Sequence, residues 1–221
     1  MRREVDINEI SDGKLYSVND LVKVVCNDCA GCSKCCRGMG ESIILDPYDV
    51  YRLCGGLELS FEQLLASYVE LNVVDGIILP NLKMNKESNS CSFLNSEGRC
   101  SIHSIRPGIC RMFPLGRIYN EEGFKYFIQI YECPSKNTGK VKVKKWIDTP
   151  NINQYEKYIN DWHKLLKRIE EKILGEDLNV QKHFNMILLN IFFMNKYNIE
   201  EDFYVQFNER CDLFVTQYFN I

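Results

Sequence analysis

Four cysteines at a strict three-residue step, Cys26, Cys29, Cys32 and Cys35, with Cys36 directly behind them, constrain this chain more than any other feature. Two intervening residues let the backbone fold around a centre and aim successive thiolates at it, the spacing used by zinc sites and ferredoxin-type clusters. Free cysteine also packs as a small hydrophobe. Here Asn27, Asp28, Gly31, Ser33, Lys34 and Arg37 make the stretch polar, and metal ligation is the better account. The chain has 11 cysteines, an odd number that cannot pair completely within one molecule. Its amino terminus, MRREVDINEISDGKLYS, lacks the apolar run of a secretory signal. A cytoplasmic, reduced protein is therefore expected, with thiols rather than structural disulfides. On an extended backbone the side chains of Cys35 and Cys36 would point to opposite sides, which predicts two sites or one bridged centre.

The rest of the sequence supplies elements around this run. Residues 1–25 carry no decisive pattern. Ile43–Leu45 reads as a short strand, and Asp46-Pro47 opens a helix that should stop at Gly55-Gly56. Ser60 and Gln63 form a capping-box pattern for a second helix bearing Phe61, Leu64, Leu65, Tyr68 and Leu71. Ile77–Leu82 looks extended. Two hairpins follow, Cys91–Leu94 with Arg99–Ile102 and Leu115–Tyr119 with Phe124–Tyr131, each turning through an Asn and a Gly. Between them, Arg106-Pro107 opens a brief helix that Pro114 ends. After Pro150, apolar residues from Tyr155 to Ile173 recur at helical spacing, ending near Gly175. A second helix runs from after Asp177 to about Tyr197, and a third passes through Phe214, Val215 and Tyr218. Their aromatic residues are read as core packing rather than as a ligand groove. The expected class is α+β: a small cysteine-rich metal-binding domain with short strands and hairpins over residues 1–145, then a carboxyl-terminal helical bundle over 146–221 packed on it.

Several function classes are excluded or disfavoured. The most apolar run, Met186 to Met194, is broken by Asn190 and is far short of the ~20 residues of a membrane helix, so no membrane association is expected. With 27 Lys and Arg against 30 Asp and Glu, nothing general recommends nucleic acid as a partner. Lys136, Lys140, Lys142, Lys144 and Lys145 form a local basic stretch, read as a solvated strand or linker. Gly38-Met39-Gly40 lacks the third glycine of a dinucleotide loop, and no phosphate loop or HExxH is present. Cys32 and Cys36 begin the C-x-x-x-C-x-x-C of radical enzymes, but Met39 stands where the third cysteine would be.

Downstream, Cys91 and Cys100 bracket the first hairpin, Cys110 falls in the brief helix and Cys133 precedes Pro134. With these the sequence resembles the YkgJ-type cysteine-cluster family, marked by CxxCxxCC and eight cysteines and regarded as zinc- or iron-chelating. Cys29, Cys32, Cys35 and Cys36 match the signature, and CSFLNSEGRCSIHSIRPGICRMFP resembles the second motif. The resemblance covers about residues 26–135. It implies eight metal ligands: Cys29, Cys32, Cys35, Cys36, Cys91, Cys100, Cys110 and Cys133. His103, where a tyrosine is expected, and the extra Cys26 are candidates for accessory ligands, with exposed or packed roles preferred. Cys54 and Cys211 are read as ordinary buried thiols. The family includes flagellin lysine N-methylase, which implies S-adenosylmethionine and a protein substrate as one prospect, although nothing in the tail identifies a methyl-donor pocket.

All-cysteine ligation suits both iron–sulfur and zinc. Three features favour an iron–sulfur cluster used for redox chemistry or catalysis: a chain with only three histidines, the ferredoxin-like run, and the Cys133-Pro134 step. A zinc-stabilised structural or interaction module is the alternative. Arg37, Arg106 and Arg111 are placed to offset thiolate charge, or equally to cap carbonyls or pair with surface acids. Structural zinc contributes ~10–16 kcal/mol per site against a net stability of ~5–15 kcal/mol, so loss of metal is expected to unfold the amino-terminal region.

Overall fold

A computed structural model describes residues 6–25, 32–133 and 139–219. The chain is α+β, cysteine-rich in its amino-terminal part and helical at its carboxyl end. In chain order the elements are α1 (Ile7–Ile10), β1 (Leu21–Val25), α2 (Pro47–Leu57), α3 (Phe61–Ser67), β2 (Val69–Val74), β3 (Ile77–Leu82), β4 (Met84–Asn85) and β5 (Ser90–Cys91). Then come α4 (Gly108–Met112), β6 (Leu115–Asn120), β7 (Gly123–Ile128), β8 (Gly139–Lys142), α5 (Val143–Ile147), α6 (Ile152–Ile173), α7 (Leu178–Leu189) and α8 (Phe203–Tyr218). The strands pair two by two and antiparallel, as β1–β8, β2–β3, β4–β5 and β6–β7. Among the described residues no helix is long and apolar enough to cross a membrane.

Contacts divide the chain into two units that do not follow its order. One comprises Met1–Ile43 and Lys83–Glu156, the other Ile44–Leu82 and Lys157–Ile221. In the first, Asn120 accepts from the backbone N–H groups of Glu122 and Gly123, both at 3.0 Å, and so fixes the turn of the β6–β7 hairpin. Tyr16 and Tyr126 exchange backbone hydrogen bonds of 2.8 and 2.9 Å, tying the amino-terminal segment to β7. The inward residues of β1 and β6–β7 join α4 and α5 in one core of Val18, Val22, Val24, Met112, Leu115, Tyr126, Ile128, Val143 and Ile147. Full burial of such a side chain is worth ~1.5–3 kcal/mol, and none of these nine is a cysteine.

The second unit is held by caps and aromatic rings. The predicted capping box of Ser60 with Gln63 forms on α3, and the predicted cap Asp46 on α2 forms one too, with Asp49. Tyr158 and Phe207 meet edge to face at 4.6 Å, Trp162 and Phe192 at 5.2 Å, and Phe192 and Phe214 at 5.8 Å, so these rings are core, as expected. Buried Asn185 of α7 accepts from the Ile78 N–H at 2.6 Å and donates to the carbonyls of Gly76 and Gln181. This polar side chain thereby satisfies backbone groups of the β2–β3 turn.

Some boundaries differ from expectation. Helix α2 runs through Gly55-Gly56 to Leu57 and is capped by Glu58 in the left-handed region, φ 55°. Interior glycine costs only ~1 kcal/mol each, less than burial of Val50 and Leu53 on the same helix returns. Helix α3 stops at Ser67, and Leu71 lies in β2, where six cross-strand pairs with β3 prevail over the helical spacing. The first predicted hairpin keeps its Asn95 turn but reduces to one bridge, Leu94 with Cys100. The strand at Ile43–Leu45 likewise reduces to the bridge of Ile44 with Asn81. The second hairpin, the brief helix after Pro107 and the three carboxyl-terminal helices are present, with α7 continuing as a π-turn over Asn190–Met194.

Candidate metal centre

The cysteine loop is shaped by backbone conformations outside regular structure. Ser33 is left-handed at φ 43° and starts a 3₁₀ turn over Lys34–Cys36. Gly38, at φ 67°, then donates its N–H to the Asn89 carbonyl at 2.8 Å, and Arg37 forms a bridge with Ser90. A positive φ of this kind is cheap for glycine alone. These links lay the loop alongside β5, which carries Cys91. The Asn95 turn returns the chain: Ser101 donates to the Phe93 carbonyl at 2.8 Å, and Cys100 lies across from Leu94. A second 3₁₀ turn, His103–Ile105, leads to Arg106, held extended ahead of Pro107.

Cys35, Cys36, Cys91 and Cys100 thus come from three separate stretches into electrostatic reach of one another and of Arg106. Cys35 and Cys36 touch directly. The Cys36 thiol donates to the Cys35 sulfur, which draws Cys35 down against the opposing effect of burial, with the Arg106 charge assisting, to about 7. The same bond, then burial, then the negative charge available at Cys35, Cys100 and Cys91, push Cys36 far up. The pair therefore gives up its first proton easily and holds the second. Burial also raises Cys91 and Cys100, and each is raised further by its thiol neighbours. A cation placed among these four sulfurs would turn mutual repulsion into common attraction and release their protons, which is the electrostatic signature that suits a metal.

The contact between Cys35 and Cys36 corrects the expectation that their sulfurs diverge. That expectation assumed an extended backbone, where neighbours project about 180° apart, whereas a 3₁₀ turn sets them about 120° apart and leaves the two sulfurs free to meet. The vicinal pair alone is therefore no argument for two sites. Among the remaining candidates, Cys32 opens the described part of the loop, Cys110 lies on α4 and Cys133 beyond β7, all half-buried and all in the first unit. Cys26 and Cys29 lie outside the described residues. Among the described residues, no three His, Cys, Asp or Glu side chains form a ready metal cage. Cys54 and Cys211 belong to the other unit, where burial first of all raises them to about 11 and about 12.

The three arginines separate by role. Buried Arg111 donates to the carbonyls of Ile147 at 3.1 Å and Ser104 at 3.2 Å, so it ties backbone. Arg37 donates to Ser33 Oγ at 3.3 Å. Arg106 is the one whose charge acts on Cys35 and Cys100. It also lies 2.9 Å from His103 Nε2. A guanidinium can only donate, so this nitrogen is an acceptor engaged by Arg106, which weighs against His103 as an accessory ligand through Nε2. Sequence reasoning treated the three arginines alike; what distinguishes Arg106 is its contact with a non-local loop.

A family model described as "CxxCxxCC: Putative zinc- or iron-chelating domain" matches residues 28–143. The matched residues include Cys29, Cys32, Cys35, Cys36, Cys91, Cys100, Cys110 and Cys133, and Cys54 besides. No curated protein and no solved structure matches the chain.

Proposed function

From the premise that the chain belongs to the CxxCxxCC family of zinc- or iron-chelating domains, we propose that it binds an iron–sulfur centre used in redox chemistry or catalysis. The ligands in this reading are drawn from Cys29, Cys32, Cys35, Cys36, Cys91, Cys100, Cys110 and Cys133. The observation that carries it is the meeting of Cys35, Cys36, Cys91 and Cys100 beside Arg106. Engagement of His103 Nε2 by Arg106 weighs toward an all-thiol set, and the C-x-x-C-x-x-C run is of ferredoxin type. When bound, such a centre supplies electron transfer or an iron site for substrate.

The chain's own residues have definable parts in this reading. Of these four, Cys35 is the thiol most ready to ionise and is the natural first ligand. Cys36 holds its proton until metal displaces it, so uptake should release protons and strengthen as pH rises. Arg106 offsets the negative charge that thiolates leave on the centre. Zinc is the second reading, favoured by one observation: Cys35, Cys36, Cys91 and Cys100 act electrostatically on one another, and four thiolates are also the complement of a closed tetrahedral site. Reconstitution decides between them. Reduced, metal-free protein given ferrous iron and sulfide without oxygen should develop visible absorption that is lost in Cys35→Ser and Cys91→Ser but kept in Cys54→Ala and Cys211→Ala. Absence of absorption, with stoichiometric uptake of zinc instead, would support the second reading and reject the first.

A further inference from the structure

Strand β2 forms a free edge of the second unit. Its sheet has two strands, β2 and β3, joined by six consecutive antiparallel pairs without a bulge. Successive residues of an antiparallel strand turn their N–H and C=O groups alternately toward the partner strand and away from it. Contacts of β3 identify the residues that turn away. The Ile78 N–H donates to Asn185 Oδ1 at 2.6 Å, and the Pro80 carbonyl accepts from the Leu45 N–H at 2.8 Å, so these two residues face away from β2. Their cross-strand partners, Val73 and Leu71, therefore face away from β3. Among the described residues no hydrogen bond reaches the N–H or C=O of either one.

The side chains of the same two residues are apolar and uncovered. Val73 is 69% exposed and Leu71 40%. The strand has no lysine, proline or bulge, the devices that blunt an exposed edge. Its one charge, Glu70, lies on the opposite face, where Oε1 accepts from buried Asn81 at 3.5 Å. Four unpaired backbone groups beside two exposed apolar side chains are the complement of another β-strand.

We propose that β2 pairs antiparallel with β2 of a second copy of this chain, about a two-fold axis at Asn72. Self-complementarity selects a second copy as the occupant. With the axis there, Leu71 of each copy lies across from Val73 of the other, and the free groups of the two strands meet in four N–H···O bonds. The exposed apolar side chains meet one another on one face. Glu70 lies across from Val74 of the other copy rather than from its Glu70, so no like charges are opposed. Association also closes at two, because Leu45 and Asn185 occupy the far edge of β3 and leave this sheet one free edge per copy. A contact confined to one strand from each copy is small beside the roughly 1,600 Å² of a standard interface, and the dimer is expected to dissociate on dilution.

Sedimentation velocity of the full chain over a concentration series tests this, with reductant present to prevent disulfides between copies. A reversible shift from monomer to dimer is expected as concentration rises, and amide exchange at Leu71 and Val73 should slow in step with it. Val73→Lys places a charge on the edge and should weaken dimerisation by roughly tenfold or more. Val73→Pro removes one outward N–H without taking a bond from the β2–β3 ladder, and should weaken it too. Val205→Lys, at an exposed position on α8, should leave dimerisation unchanged. Circular dichroism matching that of the parent shows that each variant is folded. A chain that stays monomeric up to its solubility limit, a dimer that the folded Val73 variants retain, or a dimer in which Leu71 and Val73 gain no protection would overturn the proposal. No cysteine lies on β2, so the outcome is independent of which metal, if any, the thiols hold.

Discussion

At the residue scale, the Cys35–Cys36 pair concentrates the chemistry. The hydrogen bond from Cys36, assisted by Arg106, holds the Cys35 thiol at about 7, well below the ordinary 9.0. In reduced, metal-free protein at neutral pH, Cys35 should therefore alkylate before Cys36, Cys91 and Cys100. Cys36→Ala removes the donor and Arg106→Ala the cation; both changes raise the Cys35 value toward 9.0 and slow its alkylation, since each unit of pKa is tenfold in thiolate below the pKa. Peptide mapping after a short iodoacetamide pulse reads this directly, and equal labelling of these four thiols would contradict it. The signature cysteines were legible from spacing alone. Their mutual geometry was not, because the turn that joins the two sulfurs depends on Ser33 in a left-handed conformation and on backbone bonds to Asn89 and Ser90, far along the chain.

At the element scale, local signals succeeded where they were self-contained. The cap at Asp46, the capping box at Ser60 and the Asn120 turn all formed as read, because each is closed by residues within four positions. Failures came where pairing decided. Tyr68 and Leu71 continue a helical spacing, but β3 takes the segment from Val69 onward as a strand. Buried Asn185, with three bonds to backbone groups, two of them on the distant β2–β3 turn, left no trace in the pattern. Asn185→Leu should orphan the Ile78 N–H and Gly76 carbonyl and lower stability by about 1–3 kcal/mol in denaturant titration. Gly38→Ala tests the cysteine loop. Its added Cβ would meet Asn89 Nδ2 only at 3.9 Å, ordinary contact, so the cost is the left-handed backbone itself, about 1–2 kcal/mol. The expected result is a lower metal content with the helical signal in circular dichroism preserved.

At the scale of the whole molecule, composition and periodicity give the α+β class, but the two contact units interleave: Ile44–Leu82 groups with Lys157–Ile221. Linear order hides such a grouping, because shared core contacts rather than sequence distance define it. The first unit owns an apolar core of nine residues that includes no thiol. Its cysteine loops contribute fewer buried apolar side chains, Phe93 and Ile102 among them. Removal of metal should therefore unfold less than the whole amino-terminal region. Amide hydrogen exchange after chelation should lose protection over residues 32–43 and 84–105 while β6–β7 and β1–β8 keep theirs. Uniform loss across the unit would show that the apolar core depends on the metal as well.

The central claim is that the thiols hold iron and sulfide. Protein isolated without oxygen and assayed for iron, zinc, acid-labile sulfide and visible absorption tests it most directly. Iron and sulfide in comparable amounts, with a coloured protein that bleaches on reduction, are predicted; a colourless protein containing zinc and no acid-labile sulfide would contradict the account.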